Sequence, residues 1–254
     1  MPVVVTLGNT GGATTLTTFD TLTSGTGDDV VTVSSALTAS SIIADLGAGY
    51  DKLVMAAGGN TLTVSNTETI SGNSGSDAVT LGTAPTAGSV DLSSGSDTLK
   101  MAATGGTVTV SNVETLSGAA GRDVVNLGSQ MQTGTIDLGG GSDKLSLGNL
   151  ANTLTISNVE TTSGGSAGDV VTLGTAQSAG VVDLSGGSDT LMLNSGGATL
   201  TVSNVETLSG AAGSDIVTLG STMSGTIDLS GGSDRLRLAA AGCTLTVSNV
   251  GTVS

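Results

Sequence analysis

Histidine and tryptophan are absent from this 254-residue chain, and phenylalanine, tyrosine and cysteine occur once each. Without histidine the chain lacks the one side chain that, unperturbed, changes charge between pH 5 and 8. That removes every catalytic triad and zinc centre built on imidazole. The lone Cys243 has no base to activate it and no partner for an internal disulfide. Two prolines leave the backbone free to donate hydrogen bonds in long ladders. No run of about 18 apolar residues is present to offer a membrane-spanning helix, and no membrane insertion is expected. The N-terminal MPVVVTLGNT lacks the basic start and long apolar region of a secretory signal. The chain is therefore expected to stay inside, to leave by a route read elsewhere, or to be a fragment. Six Lys and Arg against 21 Asp and Glu give a net charge of -15. No basic field exists to release counterions, which argues against nucleic acid and makes divalent cations the natural partners.

What the chain has in quantity is glycine, 41 residues, and a period. Thr199 to Gly220 reads TLTVSNVETLSGAAGSDIVTLG, and 46 residues upstream the chain reads TLTISNVETTSGGSAGDVVTLG. Asn66, Asn112, Asn158 and Asn204 are each 46 apart, and Asn249 follows after 45. A fixed period of this size marks a stacked-repeat architecture rather than a globular enzyme. With few bulky residues, Val, Leu, Ile, Thr and Ser must pack in many small equivalent layers. Cys243 stands ahead of a strand phrase where other copies have Ala198, Asn152 or Gly106, and reads as a small residue at a turn.

Phrases such as Thr61-Leu62-Thr63-Val64 place apolar residues at every second position, as half-buried strands require. No 10-residue stretch shows a helical period. Tight two-residue hairpin signals are absent, while like residues recur at constant spacing, which stacks like on like only in a solenoid. The fold class expected is all-β: a right-handed parallel β-solenoid (β-helix) forming one elongated domain over residues 1–254. A worn first unit covers 1–50 and regular repeats cover 51–254. Asp77, Asp97 and Asp123 open the same short phrase at steps of 20 and 26 residues. Each repeat is therefore read as two unequal coils, giving ten or eleven coils in all.

Of the acidic residues, 20 fall in four repeating slots. Asp29, Asp77, Asp123, Asp169 and Asp215 form one, and Asp51, Asp97, Asp143, Asp189 and Asp234 another. These ten follow a Gly-rich turn and share parity with the buried Leu or Val that comes after, so their carboxylates point toward the turn and the coil interior. Stacked buried carboxylates repel and need a partner. Either each accepts hydrogen bonds from the backbone N–H groups of its Gly-Ser turn, or the ten are candidate Ca2+ ligands, since Ca2+ is a hard cation suited to carboxylates and turn carbonyls. Ca2+ is the one cofactor this pattern suggests. Asp45, Asp91, Asp137, Asp183 and Asp228 have outward parity and read as solvated. Asp20, Glu68, Glu114, Glu160 and Glu206 read as outward too. The Asn column reads as structural, holding turn residues at positive φ.

Gly139-Gly140-Gly141-Ser142-Asp143-Lys144-Leu145-Ser146-Leu147 resembles the G-x-G-x-D-x-apolar-x nonapeptide of the secreted, calcium-binding RTX proteins, and Gly25 to Val31 fits the same form. In that family the Asp and turn carbonyls hold Ca2+ between successive turns, and the chain folds after export. RTX nonapeptides come in tandem; here one such phrase occurs per 20 or 26 residues. The larger pattern resembles the β-strand-repeat segments of bacterial surface-layer proteins and adhesins. The resemblance implies a non-enzymatic, extracellular structural protein of a bacterial cell surface. Its partner would be itself, head to tail and laterally, in a filament, surface layer or biofilm fibre. A Ca2+-binding RTX-type adhesin or stalk module is the second reading. Ice binding by the Thr-x-Thr phrases is the third, although Thr135-Ile136-Asp137 and its equivalents would insert a hydrated charge among them.

Overall fold

Alternating residues of one face become strands here because a Val, Leu or Ile at every second place can be buried only if the backbone is extended. The computed structural model describes residues 1–39 and 41–254, and no helix occurs among them. The chain is a parallel β-solenoid, as its sequence leads one to expect. Its contacts group into two units, Met1–Ser129 and Gln130–Ser254. Each contains fourteen strands dealt alternately to two parallel sheets, so each sheet of a unit has seven rungs.

In the first unit one repeat comprises Thr61–Ser65, Thr69–Ser71, Ala78–Leu81, Gly88–Asp91 and Thr98–Lys100, and the next copy opens with Gly106–Ser111. Thr61, Ala78, Thr98 and Thr115 pair in register in one sheet; Ile70, Val90 and Val110 pair in the other. Five strands at two per coil make two and a half coils per repeat, where two were expected. The phrase TLTV at Thr61 and its copy TVTV at Thr107 therefore lie in opposite sheets. The second unit repeats the arrangement, with Thr153–Ser157 in one sheet and Ala198–Ser203 in the other. The reason lies in the 26-residue step. It is a 17-residue rung from Asp97 to the Glu114 level, followed by a crossing to the opposite sheet, and not a coil. Copies 46 apart alternate between sides, and only copies two repeats apart share a column.

The core is a set of inward columns. Leu62, Val79, Leu99 and Leu116 stack in the first unit, and Leu154, Val171, Leu191, Leu208 and Ile227 in the second, all buried. Thr162 stands in such a column, buried between Leu145 and Val182, and its hydroxyl has no hydrogen-bond partner among the described residues. Lys52, Lys100, Lys144, Arg235 and Arg237 are exposed, as their parity requires. The outward apolar residues Val30, Ala78, Val124, Val170 and Ile216 do not form one column, because the odd strand count divides them between the two sheets.

Asn66, Asn112, Asn158, Asn204 and Asn249 all sit at positive φ, between 50 and 54°. In this left-handed region a short polar side chain that bonds locally is the best non-glycine choice. Each Nδ2 donates to the Oδ1 of Asp45, Asp91, Asp137, Asp183 or Asp228 on the preceding rung, at 2.7–2.8 Å. The same Oδ1 accepts the N–H two residues further along its own turn. These aspartates are brackets between turns as well as surface charges.

Candidate functional site

All ten inward aspartates are buried, none more than 3% exposed. Each lies where the chain leaves a Gly-rich turn and enters a strand. In a parallel ladder a residue's N–H should bond a carbonyl of the next rung, but at that point the next rung is still turning. Its aspartate supplies the oxygen instead. The N–H of Asp29 donates to Oδ1 of Asp51 (2.7 Å), that of Asp77 to Asp97 (2.7 Å), that of Asp169 to Asp189 (2.7 Å), and that of Asp215 to Asp234 (2.8 Å). Asp123 and Asp143 are buried in the same setting.

Glutamates continue the ladder. The N–H groups of Asp51, Asp97, Asp143 and Asp189 donate to Oε2 of Glu68, Glu114, Glu160 and Glu206 at 2.7–2.8 Å. Asp20 acts likewise for Val3. These residues, expected to point outward, reach back to the rung before them. Asp51, Asp77, Asp97, Asp169, Asp189, Asp215 and Asp234 accept a backbone N–H from the preceding coil. Donors in the aspartate's own turn, the one source the sequence reading had, add to this at Asp77, from the Asn73 N–H, and at Asp29, from the Ser24 hydroxyl. Below the pair in two repeats stands a buried asparagine that sequence reasoning missed. Asn60 donates both its N–H and its side-chain Nδ2 to Asp77 Oδ1 at 2.8 Å, and its Oδ1 accepts the Leu37 N–H. Asn152 does the same between Met131 and Asp169. The signal was present as spacing: Asn60, Asp77, Asp97 and Glu114 step by 17, 20 and 17 residues.

The second carboxylate oxygen is the unusual element. Oδ2 of Asp51, Asp77, Asp97, Asp169, Asp189 and Asp215 is buried and has no hydrogen-bond partner among the described residues. Burial raises the pKa of each of these carboxyls above its ordinary value, against the pull of the donated N–H bonds, and takes Asp97 to about 6. At Asp51, Asp97 and Asp189 the neighbouring Asp and Glu charges add to the rise. Outside the coil Asp228 is shifted the other way, chiefly by the Asn249 side chain.

A dry oxygen of this kind accepts a proton or a cation. Among the described residues no three acidic side chains come close enough together to hold a metal ion. A Ca2+ ion, which takes six to eight oxygens, would therefore draw most of its ligands from turn carbonyls. Comparison with protein-family models, with curated proteins and with solved structures found no match for this chain.

Proposed function

We propose that the chain is a structural segment of a bacterial extracellular assembly, a filament, surface layer or biofilm fibre, in which solenoids meet head to tail. The observation that carries this reading is the ladder. Parallel strands offer one another the same backbone groups, and the carboxylate-to-N–H bond recurs along the coils at Asp29, Asp77, Asp169 and Asp215, a pattern related by translation. Contacts of that type are heterologous and generate open filaments, and an unpaired strand edge is a template for another chain. Negative-stain microscopy and sedimentation velocity at rising protein concentration test it. Particles that lengthen with concentration are expected; particles of a single length at high concentration, with Ca2+ and with chelator, would end the proposal.

A Ca2+-ordered stalk of the RTX type is the second reading, favoured by the partnerless Oδ2 atoms in six of the ten inward aspartates. Thermal melts in Ca2+ against chelator separate it from the first. A midpoint that rises with Ca2+ supports it, and coincident curves reject it.

A further inference from the structure

The second repeat departs from its sisters at one place. At steps of 46 residues the loop after the Ala78–Leu81 strand and its equivalents holds Pro85, Met131, Gln177 and Met223. Met131 and Met223 are buried. A Cβ on Gly134 would overlap the Met131 sulfur, so that side chain lies over the glycine of its own loop. Gln177 lies over Gly180 in the same way, its Nε2 2.6 Å from where a Cβ would stand, and donates to the Val159 carbonyl. Pro85 covers its own glycine less closely, its Cβ 3.1 Å from where a Cβ on Gly88 would stand. Beside it lies a cavity of about 180 Å3 lined by Val64, Leu81, Gly88, Thr67, Glu68 and Thr83 among others.

Two further substitutions accompany the proline. Its partner on the next rung is Gly106, where a Cβ would stand 2.5 Å from Pro85 Cδ; with no N–H on residue 85, an asparagine like Asn60 or Asn152 would have nothing to receive there. Thr67 replaces Val113, Val159 and Val205, all three buried, and turns its hydroxyl to the Ser65 carbonyl.

Gln177 displays what the space accepts: an aliphatic stem ending in an N–H donor aimed at the carbonyl of residue 159. Two repeats earlier in the sequence the corresponding residue is Thr67, which lines the cavity. The charged group in the lining is Glu68, one oxygen of which accepts the Asp51 N–H. We propose that this cavity binds a primary ammonium on an unbranched aliphatic stem, as in an alkylamine or a lysine side chain. The stem takes the place of the Met131 and Gln177 side chains, and the ammonium is received by Thr67 and Glu68. The net charge of -15 favours the cation over a neutral amide.

Amide-resolved NMR titration tests this, with n-butylammonium, Nα-acetyl-lysine-N-methylamide and the neutral isostere n-butanol as probes. Saturable shifts at Thr67 and Gly88 are expected with an ammonium. Binding by butylammonium alone would point to a free amine, and binding by the lysine derivative to a protein side chain. Glu68→Gln should weaken binding about tenfold, as loss of a charge-assisted contact does. Pro85→Met should abolish it with an unchanged fold, and Pro85→Gln, which carries the sister repeat's residue, serves if the first variant fails to fold. Equal shifts with butanol, no saturable shift with either amine, or full binding by the filled variants would overturn the proposal.

Discussion

The backbone N–H of Asp77 donates to the carboxylate of Asp97 over 2.7 Å, so a side chain 20 residues ahead does the work of a missing carbonyl. Its role and its charge are then separable by substitution. Asp97→Asn keeps the acceptor for the Asp77 N–H and removes a buried charge, so at pH 8 it should leave the fold as stable or more so. Asp97→Ala orphans that N–H and should cost about 1–3 kcal/mol. Denaturant titration of both variants reads the difference.

The raised carboxyls set a pH dependence whose sign is fixed. A buried Asp holds its proton in the folded chain at a pH where the unfolded chain, with an ordinary value near 3.8, has lost it. The folded state binds more protons, so stability falls as pH rises. For Asp97 the contribution is whole below about 3.8 and is lost as pH passes about 6. In chelated buffer the denaturation midpoint should therefore drop between about pH 4.5 and pH 8, and Asp97→Asn should flatten the curve. A midpoint that rises over this range would contradict the buried-carboxyl account.

Thr162 stands in an inward column between Leu145 and Val182 with its hydroxyl unpartnered among the described residues. Thr162→Val keeps the shape and removes the desolvated oxygen, so a gain of about 1–2 kcal/mol is expected. A loss on thermal melting would mean that the hydroxyl has a partner.

Asn112 combines φ 53° with a bond to Asp91. Asn112→Ala loses both and should cost about 1–3 kcal/mol. Asn112→Gly relieves the backbone and should cost less. Asp91→Ala should cost more than the glycine variant, since it removes the acceptor of the Ser93 N–H as well as that of Asn112.

Much of the fold is legible in the sequence because strand parity is a local property. Alternation places Leu62 and Leu99 inward and Lys100 outward, and the same parity buries the ten aspartates. What parity cannot convey is the number of strands between like phrases. The period measures chemical resemblance, and Glu114 in place of an aspartate hides a rung inside the 26-residue step from Asp97 to Asp123. The partners of the aspartates were hidden for the same reason. Asn112 lies 21 residues from Asp91, and Glu114 lies 17 from Asp97, and these distances acquire meaning only once the coil length is known. Pro85 was legible as one of two prolines, but the space it leaves is visible only beside the side chains of Met131 and Gln177.

An odd number of strands per repeat makes each unit two-sided in a specific sense. A mark placed once per repeat, whether a charge, a label or a fused loop, appears on alternate walls at half the density that the period suggests. Neither wall can then evolve a chemistry of its own through changes common to all copies. A one-sided surface requires neighbouring copies to diverge, and the pairing of Pro85 with Thr67 in one repeat only is divergence of that kind.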